Sequence, residues 1–139
     1  MILAILGTLP FLAAATMAWL EIGFNKMRLL QAISIYAALV LAFFGGIQWG
    51  LGVSLRETAP RSAQTLFLLP LALTLPGAAL LLIDSYSARL VIASALLAAS
   101  WGVDALLHLQ RLIPTWFFRL RCIVSPVAIA SLLLLLPKA

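Results

Sequence analysis

The chain has 139 residues, 65% of them hydrophobic and 9% charged, with nine Lys or Arg against four Asp or Glu and a net charge of +5. An ordinary soluble domain is about a quarter charged, so this composition excludes that class and points to a membrane protein. The basic excess does not indicate nucleic acid, because Lys and Arg stand at the ends of apolar runs, where they meet lipid headgroups. The single cysteine, Cys122, excludes an internal disulfide. Charges fall in clusters that cut the chain into runs close to the roughly 20 residues a helix needs to cross the hydrocarbon. Barrel strands would alternate polar and apolar residues over shorter segments. The expected fold is therefore all-α, a polytopic membrane helical bundle. It is read as one transmembrane domain of five transmembrane helices with short loops, over 2–20, 29–55, 62–83, 90–110 and 119–137.

No Lys or Arg precedes the first run, so it lacks the basic start of a cleaved signal peptide and is read as a span, kinked at Pro10. A polar hairpin over 21–28 leads to the second run, LLQAISIYAALVLAFFGGIQWGLGVSL, which carries no charge. Small residues recur there at every fourth position, Ser34, Ala38, Ala42, Gly46, Gly50 and Ser54. Residues four apart share a helix face, so this stripe, with Gly46 and Gly50 as a GxxxG, is expected to be a helix-packing surface. The third run contains Pro70, Pro76 and Gly77 and is expected to bend.

Charge spacing is most informative in the fourth run. The fourteen residues between Arg89 and Asp104 would cover only about 21 Å, short of a core of about 30 Å. Extending the helix to Gln110 gives about 31 Å and leaves Asp104 roughly 10 Å inside that end. Asp104 is thus placed within the membrane. The fifth run is similarly short, so Arg119 and Arg121 must snorkel or be drawn inward. Five spans put the termini on opposite sides. Arg56, Arg61, Arg111, Arg119 and Arg121 then share the side of the N-terminus, against Lys26, Arg28, Arg89 and Lys138. We read the chain as an inner-membrane protein with a cytoplasmic N-terminus.

This topology brings Gln48, Trp49, Asp104, His108, Arg119 and Arg121 toward one membrane face. Ser100, Trp101, Asp104, His108 and Arg111 also follow the spacing of one helical face. A carboxylate in low dielectric needs a partner, and Arg121 or Arg119 across a short hairpin is the obvious one. An ionisable residue inside the membrane is a functional candidate, here for carrying a proton or holding a ligand, but an ion pair fixing the fourth span to the fifth is the preferred reading. His108 has no second ligand at metal spacing and is read as an interfacial side chain, so no metal and no cofactor are expected. Gln48 is read as a hydrogen-bonding partner of a neighbouring helix. Tyr36, deep in the second run, needs an acceptor for its hydroxyl. The segment Pro114, Thr115, Trp116, Phe117, Phe118, Arg119 fits an aromatic belt at headgroup level.

From Tyr36 to Gly50, through Phe43, Phe44, Gly45, Gly46, Ile47, Gln48 and Trp49, the chain resembles the bacterial and mitochondrial family that contains transmembrane protein 69. A second block is Asp104 followed by Pro114, Thr115, Trp116, Phe117, Phe118, Arg119, Leu120 and Arg121, and Leu6, Gly7, Leu9, Pro10 and Phe11 resemble the family's start. Phe117 stands where the resemblance leads one to expect tyrosine. The resemblance implies a multi-span inner-membrane protein and supports grouping Trp49 with Asp104 and Arg121. It brings no established activity.

No nucleophile sits at a recognisable distance from a histidine, and there is no glycine-rich phosphate loop and no pair of buried carboxylates. An enzyme is the least favoured class. The leading expectation is a non-enzymatic helix-packing or accessory protein whose partners are the lipid bilayer and other membrane proteins or copies of itself. The alternative is a carrier or binding protein for a proton, a lipid or a quinone-like hydrophobic small molecule.

Overall fold

A computed structural model describes residues 5–22 and 25–139, and every regular element among them is helical. From Leu9 on, five α-helices follow one another among the described residues. They are α1 (Leu9–Leu20), α2 (Lys26–Ser54), α3 (Pro60–Ala79, prolonged by a 3-10 turn at Leu80–Leu82), α4 (Tyr86–Leu109) and α5 (Thr115–Leu134, followed by a 3-10 turn at Leu136–Lys138). The last four are long and apolar enough to cross a membrane, and the chain is a multi-pass helical membrane protein.

The local chemistry explains where the helices begin and end. The Asn25 side chain accepts from the Met27 amide at 3.0 Å and starts α2, and Ser85 accepts from Ala88 at 3.3 Å and starts α4. Arg111 closes α4 with φ 57, and the amides of Arg111 and Leu112 return to His108 and Leu107 at 2.9 Å. These two bonds cap carbonyls the helix would leave open. The start of the chain departs from expectation. α1 begins only at Leu9, with Pro10 in its first turn, where a missing N–H removes no helical bond, so Pro10 opens the helix rather than kinking it. Its 12 residues cover about 18 Å. Residues 2–4 of the expected first span lie outside the described residues.

α2 is the hub: α1, α3 and α4 all pack on it, and α5 packs on α1 and α4. Its buried positions are Leu30, Ile33, Ser34, Ala37, Leu41, Phe44, Gly45, Gln48 and Gly52. The series repeats its steps of three, one, three and four every 11 residues, close to three helical turns, so the row stays on one face. The stripe at every fourth residue behaves differently. Each step of four overshoots a turn by about 40°, so from Ser34 to Gly50 the row drifts roughly 160° around the helix. Ser34 is buried, whereas Gly46 and Gly50 are exposed, and a Cβ added at either would meet nothing within 4 Å. The expected packing role of Gly46 and Gly50 is therefore corrected within the chain.

Close approach runs instead through Gly45 and Gly52. A Cβ on Gly45 would lie 3.0 Å from the Pro70 Cα, and one on Gly52 would lie 3.1 Å from the Leu66 Cβ and 3.2 Å from the Ala63 carbonyl oxygen. These two glycines let α3 press against α2, and α3 continues through Pro70 and Pro76 as one helix. Substitution at Gly45 must push on backbone. Gly45→Val is expected to lower the thermal stability of the detergent-solubilised protein by about 1–3 kcal/mol, the range for overpacking. Gly46→Val, one residue on, is expected to leave the melting temperature unchanged.

Candidate functional site

α4 and α5 form an antiparallel hairpin, and the chain itself sets its register. Asp104 lies five residues before the last residue of α4 and Arg121 six residues after the first of α5, so the two stand at the same height. Each occupies the buried face of its helix, Asp104 in the series Leu97, Ser100, Asp104, Leu107 and Arg121 in the series Arg121, Ser125, Ala128, Leu132. Asp104 is 1% exposed and Arg121 3%.

There the Arg121 Nε donates to Asp104 Oδ2 in a buried ion pair. The Arg121 Nη2 donates to Ser100 Oγ at 2.9 Å. From α2, the Gln48 Nε2 lies 3.3 Å from the Ser100 carbonyl oxygen, 3.4 Å from Ser100 Oγ and 3.4 Å from Asp104 Oδ1. The carbonyl and the carboxylate can only accept, which fixes which end of the Gln48 amide faces them. Both carboxylate oxygens of Asp104 are thus engaged by protein donors. The guanidinium carbon also lies 3.6 Å from the Phe44 ring centroid, a cation–π contact in a dry environment. Three helices meet at this network.

Five buried side-chain polar atoms have no hydrogen-bond partner among the described residues, and two of them, the Arg121 Nη1 and the Gln48 Oε1, belong to this network; the others are the Trp101 Nε1, the His108 Nδ1 and the Ser125 Oγ. The Arg121 and Gln48 side chains line a crevice with Phe44, Ile47, Asp104 and Phe117 that is too narrow to hold a water-sized probe. Beside it, and sharing Phe44, Ile47, Phe117 and Arg121, runs a groove of about 540 Å³. α2 and α5 form its sides and Gly7 and Phe11 one end. Its rims include Leu39 and Phe43, which are 62% and 64% exposed, so it opens to the outside of the bundle. Tyr36 also lines it and donates to the Gly7 carbonyl at 2.7 Å, which supplies the acceptor its depth requires.

Of the residues that the sequence brings to one face, the fold joins Gln48, Asp104 and Arg121. Arg119 is exposed, because two residues along a helix turn about 200° and put it opposite Arg121. Trp49 is 53% exposed and meets Phe67 edge-on at 6.4 Å, away from the network. His108 stacks on Phe118 at 4.5 Å and contacts no member of the network by hydrogen bond. Ser100 and Phe44 complete the site. Ser100 carries a legible signal, one turn before Asp104 on the same face, whereas nothing in the sequence distinguishes Phe44 from its neighbour Phe43.

Breaking the pair leaves an uncompensated charge, while removing both charges leaves only a packing change. Asp104→Leu alone and Arg121→Met alone are expected to destabilise by about 3–5 kcal/mol in thermal or chemical denaturation. The double variant is expected to recover most of that loss, giving a coupling of at least about 1 kcal/mol in the cycle.

No curated protein and no solved structure matches the chain. The model of the family described as "Protein of unknown function (DUF3429)" matches residues 1–137, so both α2 and the charged α4–α5 hairpin fall within it, and the chain belongs to that family.

Proposed function

We propose that this chain is a non-enzymatic helix-packing protein of the inner membrane, acting as a small oligomer or as an accessory subunit of a larger membrane assembly. The observation that carries the reading is the outward Gly46 and Gly50 pair. Both glycines face away from the chain with open space around them, in a helix whose inward contacts are made by Gly45 and Gly52. Small residues let helix backbones approach in lipid, where no hydrophobic drive brings helices together, so this face suits a partner helix. Asp104 supports the same reading from the other direction. A carboxylate with both oxygens held by Arg121 and Gln48 serves to fix helices rather than to shuttle protons.

Kinship with the family containing transmembrane protein 69 accompanies this proposal, supported by the Tyr36 to Gly50 and Asp104 to Arg121 blocks. So does a cytoplasmic N-terminus.

The test is co-purification from native membranes in mild detergent. Gly46→Leu is expected to lose co-purifying proteins or self-association while keeping the wild-type melting temperature. Asp104→Asn is expected to lower stability and to retain partners in whatever fraction remains folded. A wild-type protein that runs as a lone monomer with no partner would reject the reading.

A further inference from the structure

At the end of the bundle where α1 and α5 finish and α2 begins lies a cavity of about 380 Å³. Glu21, Lys26 and Lys138 line it, together with an apolar wall that includes Met17, Ile22 and Leu29. Lys138 is held in place there. Its ammonium lies 3.3 Å from Glu21 Oε1 and 5.2 Å from the centre of the Trp19 ring, and its side chain is only 29% exposed. Trp19 is anchored in turn, its Nε1 donating to the Leu134 carbonyl at 3.0 Å. An ammonium donates in more than one direction. Glu21 takes one hydrogen, and the ring face attracts the charge without taking any. Lys26 brings a second cation, which makes no ion pair among the described residues.

Charge selects the occupant. Two cations against one carboxylate leave the side chains of this cavity with a charge of +1, which one phosphodiester neutralises. A headgroup with its own ammonium would add a third cation, and the carboxylate that could receive it is already engaged by Lys138. Height agrees with charge. Trp19 stands in the last turn of α1, and tryptophans near the ends of membrane helices sit at headgroup level. An inorganic anion would leave Met17, Ile22 and Leu29 uncovered, whereas an acyl chain covers them.

We propose that this cavity binds an anionic phospholipid, with phosphodiester oxygens accepting from the Lys26 and Lys138 ammonium groups and an acyl chain lying on Met17, Ile22 and Leu29. The site goes beyond the packing function and does not rest on it, since it lies at the opposite end of α2 from Gly46 and Gly50.

The test uses the full-length protein in detergent micelles, followed by native mass spectrometry and titrated with dioleoylphosphatidylglycerol or with dioleoylphosphatidylcholine, which has the same chains. Lys26→Gln and Lys138→Gln each remove one cation from the cavity. Arg28→Gln removes an equal charge from the same end of α2, at an exposed position outside the cavity, and is the control. Wild type and control are expected to retain one phosphatidylglycerol per chain in preference to phosphatidylcholine. Each lysine variant is expected to bind it about fivefold more weakly, the factor for one cation beside an anionic lipid. Lys26→Gln is expected to keep the wild-type melting temperature, which separates lost binding from lost folding. Four results would overturn the proposal: equal retention of the two lipids, unchanged binding in Lys26→Gln, an equal loss in Arg28→Gln, which would make the attraction a property of the whole basic face, or displacement of the lipid by millimolar inorganic phosphate, which would make this an ion site.

Discussion

A carboxylate and a guanidinium kept from water remain charged only if each supplies what water would have supplied to the other. The Asp104 and Arg121 pair meets that condition through several partners at once, and much of the fold follows from it. Arg121 bonds Asp104 and Ser100 on α4 and lies over Phe44 on α2. Gln48 adds a second link from α2 to α4. A sliding of α4 against α5 by one helical turn, about 5.4 Å, would separate the charges and strand both. Apolar contacts alone would tolerate such a slide far better, since lipid is as apolar as leucine. The ion pair therefore specifies register, and Gly45 and Gly52 supply the close contact that holds α3 to the hub.

The number of helices and the place of Asp104 within α4, five residues before its last, were readable because both depend on counting. Charge-free length converts directly to distance at 1.5 Å per residue, and the short fourth run required a helix that continues past Asp104, as α4 does to Leu109. The choice between Arg119 and Arg121 was not readable in the same way. It depends on the rotation of α5 about its axis, and that rotation is set where Pro114 and the left-handed Arg111 end the loop. The glycine stripe illustrates the same difficulty within a single helix. Every fourth residue looks like one face when written in a line, yet the accumulated 40° per step moves Gly46 and Gly50 off the side where Ser34 sits. Neighbouring glycines one residue apart thus take opposite roles, Gly45 inward and Gly46 outward. Pro10 was legible as a proline and misplaced as a kink, because the start of α1 depends on the turn at Gly7 and Thr8 rather than on apolar length.

The groove follows from the same constraint that builds the network. α2 and α5 both pack on α1 and on α4 but hardly on each other. Between them stand the Arg121 guanidinium and the Phe44 ring that it covers, with the other aromatic side chains around them. Filling this space with aliphatic side chains would close the groove but would leave the guanidinium without its Phe44 face.

The choice of arginine rather than lysine at 121 bears on what the site can do. An ammonium is a compact point charge that could pair with Asp104 but has no planar face to lay on the Phe44 ring. The planar fork of arginine separates its tasks among three nitrogens. Nε holds Asp104, Nη2 holds Ser100, and the plane lies on Phe44. Those contacts fix the remaining nitrogen, Nη1, in position without using its hydrogens. That nitrogen is sealed from water, and its side chain shares with Gln48, whose Oε1 is likewise without a partner among the described residues, a crevice too narrow for a water molecule, so the polar network is closed around the ion pair that keeps the helices in register.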